Sequence, residues 1–195
     1  MKKIICLSGL VLILFSCKKE IASLLKNYHG ATTTRFTNYT IRQGENYCDG
    51  NSYVPTSYAE LNFIAKFDST AIYSNVNPDN QLDINKLYGF ADNNSTHQQF
   101  SARFGWRWSD NALRLFGYVY NDGIRSSKEL GIVTIGAENN CAIKVNPNSY
   151  VFSLNGKVDS LPRTATTIKA TGYKLYPYFG GDETAPHNIY IWIKE

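Results

Sequence analysis

The residues best suited to chemistry lie between His97 and Tyr120. Read with a period of two, Phe104, Trp106, Trp108, Leu113, Leu115 and Val119 fall on one side of a strand–turn–strand unit. Arg103, Arg107, Arg114, Phe116, Tyr118 and Tyr120 fall on the other. The first set belongs in a core. The second sets three guanidinium groups among aromatic rings. Arginine binds carboxylate or sulfate through two parallel hydrogen bonds, and rings stack on sugar faces. Arg103, Arg107, Arg114, Tyr118 and Tyr120 are therefore the expected binding residues for an anionic saccharide. A plain solvated sheet face, with arginine stems covering apolar surface, would carry the same pattern. His97-Gln98-Gln99 stands immediately upstream. On a uronate, arginine and glutamine would neutralise the carboxylate and one group would take the C5 proton. A tyrosine, Tyr118 or Tyr176, would protonate the leaving oxygen, completing a β-elimination. A loop histidine with no chemical role fits the same residues.

The elements that must position these groups read as strands. Ser109-Asp110-Asn111 turns the chain between the two halves of the unit, and Asn121-Asp122-Gly123 turns it again, since Asp-Gly readily supplies positive φ. Leu61, Phe63, Ala65 and Phe67 alternate along one face, as do Ile189, Ile191 and Ile193 at the end of the chain. A strand is expected near Leu130–Ile135. Two more, Cys141–Val145 and Tyr150–Leu154, flank Asn146-Pro147-Asn148-Ser149, and Asn155-Gly156 closes a further hairpin. Loops are expected over Asn75–Asn85 and Asp92–Thr96. Many short strands between Gly, Asn and Pro turns, with no sustained amphipathic helix, predict an all-β fold, an antiparallel β-sandwich.

Composition narrows the partners. Charged residues make up 18% of the chain and aromatics 14%, with fourteen tyrosines, and the formal charge is +4. That charge is too small and too dispersed for nucleic acid. The fourteen tyrosines suit wet recognition surfaces and strands equally. No CxxC or histidine pair has metal-ligand spacing, so no metal site is expected. Asp92-Asn93-Asn94 and Asn121-Asp122 are oxygen-rich enough for a structural calcium, although Asx turns need no ion. No other cofactor is expected. Cys48 and Cys141 either form a disulfide outside the cytoplasm or remain separate buried thiols.

Lys2 and Lys3, the apolar run Ile4–Phe15 and then Leu14-Phe15-Ser16-Cys17 resemble the signal and lipobox of bacterial lipoproteins. The resemblance implies that Cys17 is lipidated on its thiol and that residues 1–16 are removed. The apolar run is too short to span a bilayer, which takes about 20 residues. The expected organisation is a signal peptide over 1–16, lipidated Cys17 with a tether over 17–40, and a β-domain over 41–195. The expected location is the bacterial cell envelope, periplasmic or surface-exposed, with the membrane met only through the anchor.

Tyr150-Val151-Phe152-Ser153-Leu154-Asn155-Gly156-Lys157 resembles a hairpin of concanavalin A-like and laminin-G-like jelly rolls. Phe179-Gly180-Gly181 followed by Ile189-Tyr190-Ile191 resembles their closing segment. The resemblance covers roughly Phe63 to Lys194 and implies a jelly roll whose concave sheet holds glycans, as a lectin or as a hydrolase or lyase cleft. The paired-glutamate motif of the family's glucanases (Glu-x-Asp-x-x-Glu) is missing, and Glu129, Glu138 and Glu183 stand alone. Jelly-roll alginate lyases resemble the chain through His97-Gln98-Gln99 and Tyr173-Lys174-Leu175-Tyr176-Pro177-Tyr178, although their motif runs Gln-x-His. The resulting expectation is a lipid-anchored envelope protein that binds a polysaccharide. A polysaccharide lyase is the alternative, and a structural or adhesive envelope protein the third.

Overall fold

The computed structural model describes residues Arg35–Glu195. The signal segment, Cys17 and most of the expected tether lie outside the described residues. Strands are numbered along the chain. One six-stranded sheet has the order β1 (Thr37–Ile41), β12 (Ile189–Lys194), β3 (Glu60–Phe67), β8 (Asn139–Val145), β9 (Ser149–Leu154), β10 (Lys157–Pro162). The second has the order β2 (Pro55–Tyr58), β11 (Ala170–Leu175), β4 (Asn85–Ala91), β5 (Phe100–Ser109), β6 (Ala112–Asn121), β7 (Ile124–Val133). Neighbouring strands pair antiparallel throughout. The fold is a concanavalin A-like jelly roll. Among the described residues no helix is long and apolar enough to cross a membrane.

Alternation builds the sandwich. Leu61, Phe63, Ala65 and Phe67 of β3 are buried while the residues between them are more exposed. Ile189, Ile191 and Ile193 do the same on β12, and Tyr150, Phe152 and Leu154 on β9. They meet Phe104, Trp106, Leu113, Leu115 and Val119 from the second sheet. Phe104 is the hub, edge-to-face with Phe63 at 5.5 Å and with Phe152 at 5.4 Å between centroids. The turns Asp110-Asn111, Asp122-Gly123 and Asn155-Gly156 all hold positive φ at both central residues, the geometry that matches the twist of two-residue hairpins.

Three strands escape the alternation pattern. β2 opens on Pro55 at a sheet edge, while β4 and β11 lie between neighbours on both sides. All but one residue of β4 is buried, so its two faces do not differ in polarity. β1 begins at Thr37, four residues before the boundary expected at 41.

Cys48 and Cys141 are both buried free thiols. Cys48 bridges Ile41 of β1, and β12 and β3 separate β1 from the strand that carries Cys141. Four strand spacings put them roughly 19 Å apart, whereas a disulfide needs Cα atoms within about 7 Å. The bridge allowed by the sequence is therefore not formed.

Candidate functional site

The open face of the second sheet forms the floor of a cleft of about 490 Å³. Register sets what faces it. Arg103 on β5 pairs with Gly89 on β4 and with Tyr118 on β6. Tyr118 in turn pairs with Ser127 on β7, and Tyr120 with Arg125. A bulge at Leu87 lets Lys86 pair with Gly105 on the cleft face while Tyr88, two residues on, pairs with Phe104 on the core face. Without that extra residue Lys86 and Tyr88 would share a side. Gly89 leaves the room that Arg103 needs, because a Cβ there would stand 2.5 Å from the Arg103 Cβ and 2.2 Å from the Ala102 carbonyl oxygen.

Arg103 is only 7% exposed, and its Nε has no hydrogen-bond partner. It forms no ion pair among the described residues. Burial pushes its pKa down, yet the guanidinium remains charged at ordinary pH. The hydroxyl-bearing rings of Tyr118, Tyr120, Tyr173 and Tyr178 surround it. Arg103 and Lys86 both lie over the Tyr118 ring, at 5.5 and 4.8 Å from its centroid. Lys86 donates to the Ile84 carbonyl at 2.7 Å. Burial, with Arg103 and Arg125 nearby, brings its pKa down to about 8. Lys174 also lines the cleft, but its ammonium pairs with Glu195 at 2.9 Å. Among the described residues no Asp or Glu lines this cleft. A buried charge without a partner costs several kcal/mol, and among the described residues no carboxylate on this floor offsets it.

The rim carries exposed rings and a histidine. Tyr47 and Tyr53 are 63% and 75% exposed, and they pack on Tyr178 and Tyr173 with centroids 4.9 and 5.4 Å apart. His97 Nδ1 lies 2.9 Å from the Tyr173 hydroxyl oxygen, which also accepts from the His97 backbone N–H at 3.1 Å. Burial and the charge of Arg103 lower the His97 pKa, which keeps the ring neutral near pH 7.

The loop that carries His97 is pinned by Asp92. This carboxylate accepts from Arg163 Nε at 2.8 Å, from the Tyr150 hydroxyl at 2.7 Å, from Thr167 Oγ1 at 3.0 Å and from the Thr171 N–H at 3.2 Å. Burial opposes its charge, but the bonds from Arg163, Tyr150 and the Asn93 N–H outweigh burial and hold its pKa below the ordinary value. Asn93 Oδ1 accepts from Thr166, and Asn121 Oδ1 from Thr164. Of the oxygens that suggested calcium, those of Asp92, Asn93 and Asn121 thus serve protein donors, with the Arg163 guanidinium against the Asp92 carboxylate. Among the described residues no cluster of His, Cys, Asp and Glu is arranged to hold a metal.

Of the residues expected to bind, the cleft brings together Arg103, Tyr118 and Tyr120, with His97 at the rim. Tyr118 is 3% exposed and serves as a platform for the two cations rather than as an open stacking face. Arg107 and Arg114 share the sheet face but lie outside the cleft. Arg107 donates to the Leu82 carbonyl at 2.8 Å and covers Phe116, and Arg114 pairs with Glu129 and Asp110 at 3.0 and 3.2 Å. Tyr176 packs between Tyr39 and Tyr88 in the core cluster and also lines the cleft, where its hydroxyl lies 3.3 Å from Ser52 Oγ. Sequence reasoning missed Lys86, Arg125, Tyr47, Tyr53 and Tyr178, and it did not assign Tyr173 a role. Only the tyrosine run of 173–178 carried a signal for any of them.

No family model and no curated protein sequence matches the chain. Solved structures do. A GH16 of the Bacteroides ovatus mixed linkage glucan PUL, in complex with a G4G4G3G product, is similar with a TM-score of 0.54 at 10% identity, over 81% of this chain and 78% of that one. The alginate lyase AlyC3 gives 0.54 at 8% identity, over 81% and 72%. The catalytic domain of a Thermotoga petrophila endo-1,3-β-glucanase gives 0.53 at 11% identity, over 83% and 75%. At such identities the likeness establishes the jelly-roll fold.

Proposed function

We propose that the cleft binds an acidic polysaccharide, with the uronate carboxylate or a sulfate ester received by Arg103 and the sugar faces stacked on Tyr47 and Tyr53. The carrying observation is the buried Arg103 guanidinium, which among the described residues has no ion pair, an unpartnered Nε and no carboxylate on the floor around it. Hydrolysis by a carboxylate pair, the usual glycosidase chemistry, finds no such pair among the described residues lining this cleft. The fold shared with polysaccharide-active enzymes supports a glycan ligand at the level of architecture. Attachment to a membrane through Cys17 is part of the same proposal and would hold the captured glycan at the cell envelope.

A second reading, β-elimination of a uronate, is favoured by one contact, the His97–Tyr173 hydrogen bond at the cleft rim. Arg103 would neutralise the carboxylate and so acidify C5. The neutral His97–Tyr173 pair would take the C5 proton, and a cleft tyrosine hydroxyl would protonate the leaving oxygen.

One experiment separates the readings. The protein is tested by affinity gel electrophoresis against neutral, uronate and sulfated polymers, with ultraviolet absorbance of unsaturated ends recorded in parallel. Retardation by the acidic polymers alone is the expected result. New absorbance that disappears in His97→Ala and Tyr173→Phe, while retardation persists, establishes a lyase. Equal retardation by neutral polymers would refute the acidic-ligand proposal.

A further inference from the structure

Adjoining the main cleft, with Lys86, Tyr118, Arg125 and Gly181 common to both linings, a smaller hollow of about 140 Å³ is completed by Ser127 and by Asp83 with its neighbours Leu82 and Ile84. Two cations meet there, and among the described residues neither is in an ion pair. Lys86 spends one of its three N–H donors on Ile84. Arg125 is exposed, and its guanidinium lies close enough to the Tyr118 hydroxyl for the two to interact. Among the described residues Asp83 is the one carboxylate lining the hollow, and it attracts both cations without forming an ion pair with either. The neighbouring Gly180 keeps the lysine side open, since a Cβ at that position would stand 2.6 Å from Lys86 Nζ. Register fixes this hollow relative to Arg103, because Arg103 pairs with Tyr118, Tyr118 with Ser127, and Arg125 lies two residues from Ser127 on the same strand. The cations of Arg103 and of the hollow therefore follow one another across the sheet, sharing Tyr118 as a common support.

We propose that this hollow is a second oxyanion subsite, which takes the carboxylate or sulfate of a sugar neighbouring the one held by Arg103. It follows that the preferred ligand is a polymer with acidic groups on neighbouring residues, rather than one whose acidic sugars are isolated among neutral ones. This rests on the acidic-polysaccharide reading of the main cleft. It also adds to that reading, since one anion site alone would not distinguish dense from sparse charge. Lys86 and Arg125 supply point and fork donors respectively, so either oxyanion can be met.

The test measures dissociation constants of the purified protein for three polymers. One is a uronate homopolymer, one alternates uronate with neutral sugars, and one is a neutral backbone carrying sulfate on each residue. Wild type is expected to bind the densely charged polymers about tenfold more tightly than the alternating one, the worth of one further charge-assisted contact. In Arg125→Gln and in Lys86→Met that ratio should fall toward one, whereas Arg103→Met should weaken all three. The two dense polymers separate the oxyanion sources, with the tighter naming the group the hollow takes. If wild type shows no preference for dense charge, or if both hollow variants keep the full ratio, the subsite is refuted while the reading of the main cleft stands. If wild type binds none of the three, both fall together.

Discussion

Arg103 is held by rings rather than by a counter-ion, and this separates its role in binding from its role in stability. Replacing a buried, unpaired charge with an apolar side chain of similar volume removes a desolvation cost. Arg103→Met is therefore expected to weaken binding of uronate polymer by about thirtyfold or more, while thermal melting shows a Tm equal to or above that of wild type. A lower Tm with intact binding would make Arg103 a structural residue. Lys86 adds a pH dependence. Burial first, then Arg103 and Arg125, press its pKa down, Asp83 presses upward, and the Tyr118 ring and the Ile84 carbonyl complete its surroundings. Anion binding needs the ammonium form, so affinity should decline as pH rises through about 8. Lys86→Arg, charged throughout, should flatten that decline in titrations between neutral and alkaline pH. Stability of the free protein runs the other way. The folded state holds this proton less tightly than the unfolded state, so Lys86 ceases to oppose folding as pH climbs from about 8 toward the ordinary lysine range.

At the scale of elements, the β5–β6 hairpin is legible, β7 is legible only in its second half near Leu130, and β4 is not. Alternation assigned Phe104, Trp106, Leu113 and Leu115 to the core and aimed Arg103, Tyr118 and Tyr120 at the opposite face, as observed. Period two cannot reveal that Arg107 and Arg114 are already engaged. Their partners include a carbonyl in the Asn75–Asn85 segment and a carboxylate on β7, and no local pattern brings these together. Lys86 was hidden for a sharper reason, since the bulge at Leu87 breaks the alternation from which its direction would be read. The close pairing of β4 with β5 can be tested through Gly89. Gly89→Ala must push the Ala102 carbonyl and Arg103 away from the strand. It should cost about 1–3 kcal/mol in chemical denaturation and weaken acidic-polymer binding by displacing Arg103. Unchanged stability would mean that the two strands separate easily at this point.

Across the whole molecule, Asp92 does more than an oxygen-rich loop announces. It leaves the end of β4 in the second sheet, and it is bonded to Tyr150 of β9 in the first sheet and to Arg163 just beyond β10, so it clamps one end of the sandwich. Sequence shows an acidic and amide cluster but not the arginine 71 residues away that satisfies it. Asp92→Ala leaves Arg163 buried and unpaired, and should cost about 3–5 kcal/mol, read as a large drop in Tm together with a displaced His97 loop. Because the Asp92 pKa is lowered in the folded state, its contribution is complete above the ordinary carboxylate range, about 4, and is lost as pH falls through the folded value. Wild type should thus lose more stability on acidification than Asp92→Asn. The two free cysteines supply a different instrument. Cys48 is pushed up to about 12 by burial, and Cys141 is raised by burial as well, so neither offers a thiolate to an alkylating reagent while its surroundings stay closed. Alkylation rates therefore become a stopwatch for breathing of the fold, with Cys48 timing the peeling of the β1 edge and Cys141 timing the opening of the centre.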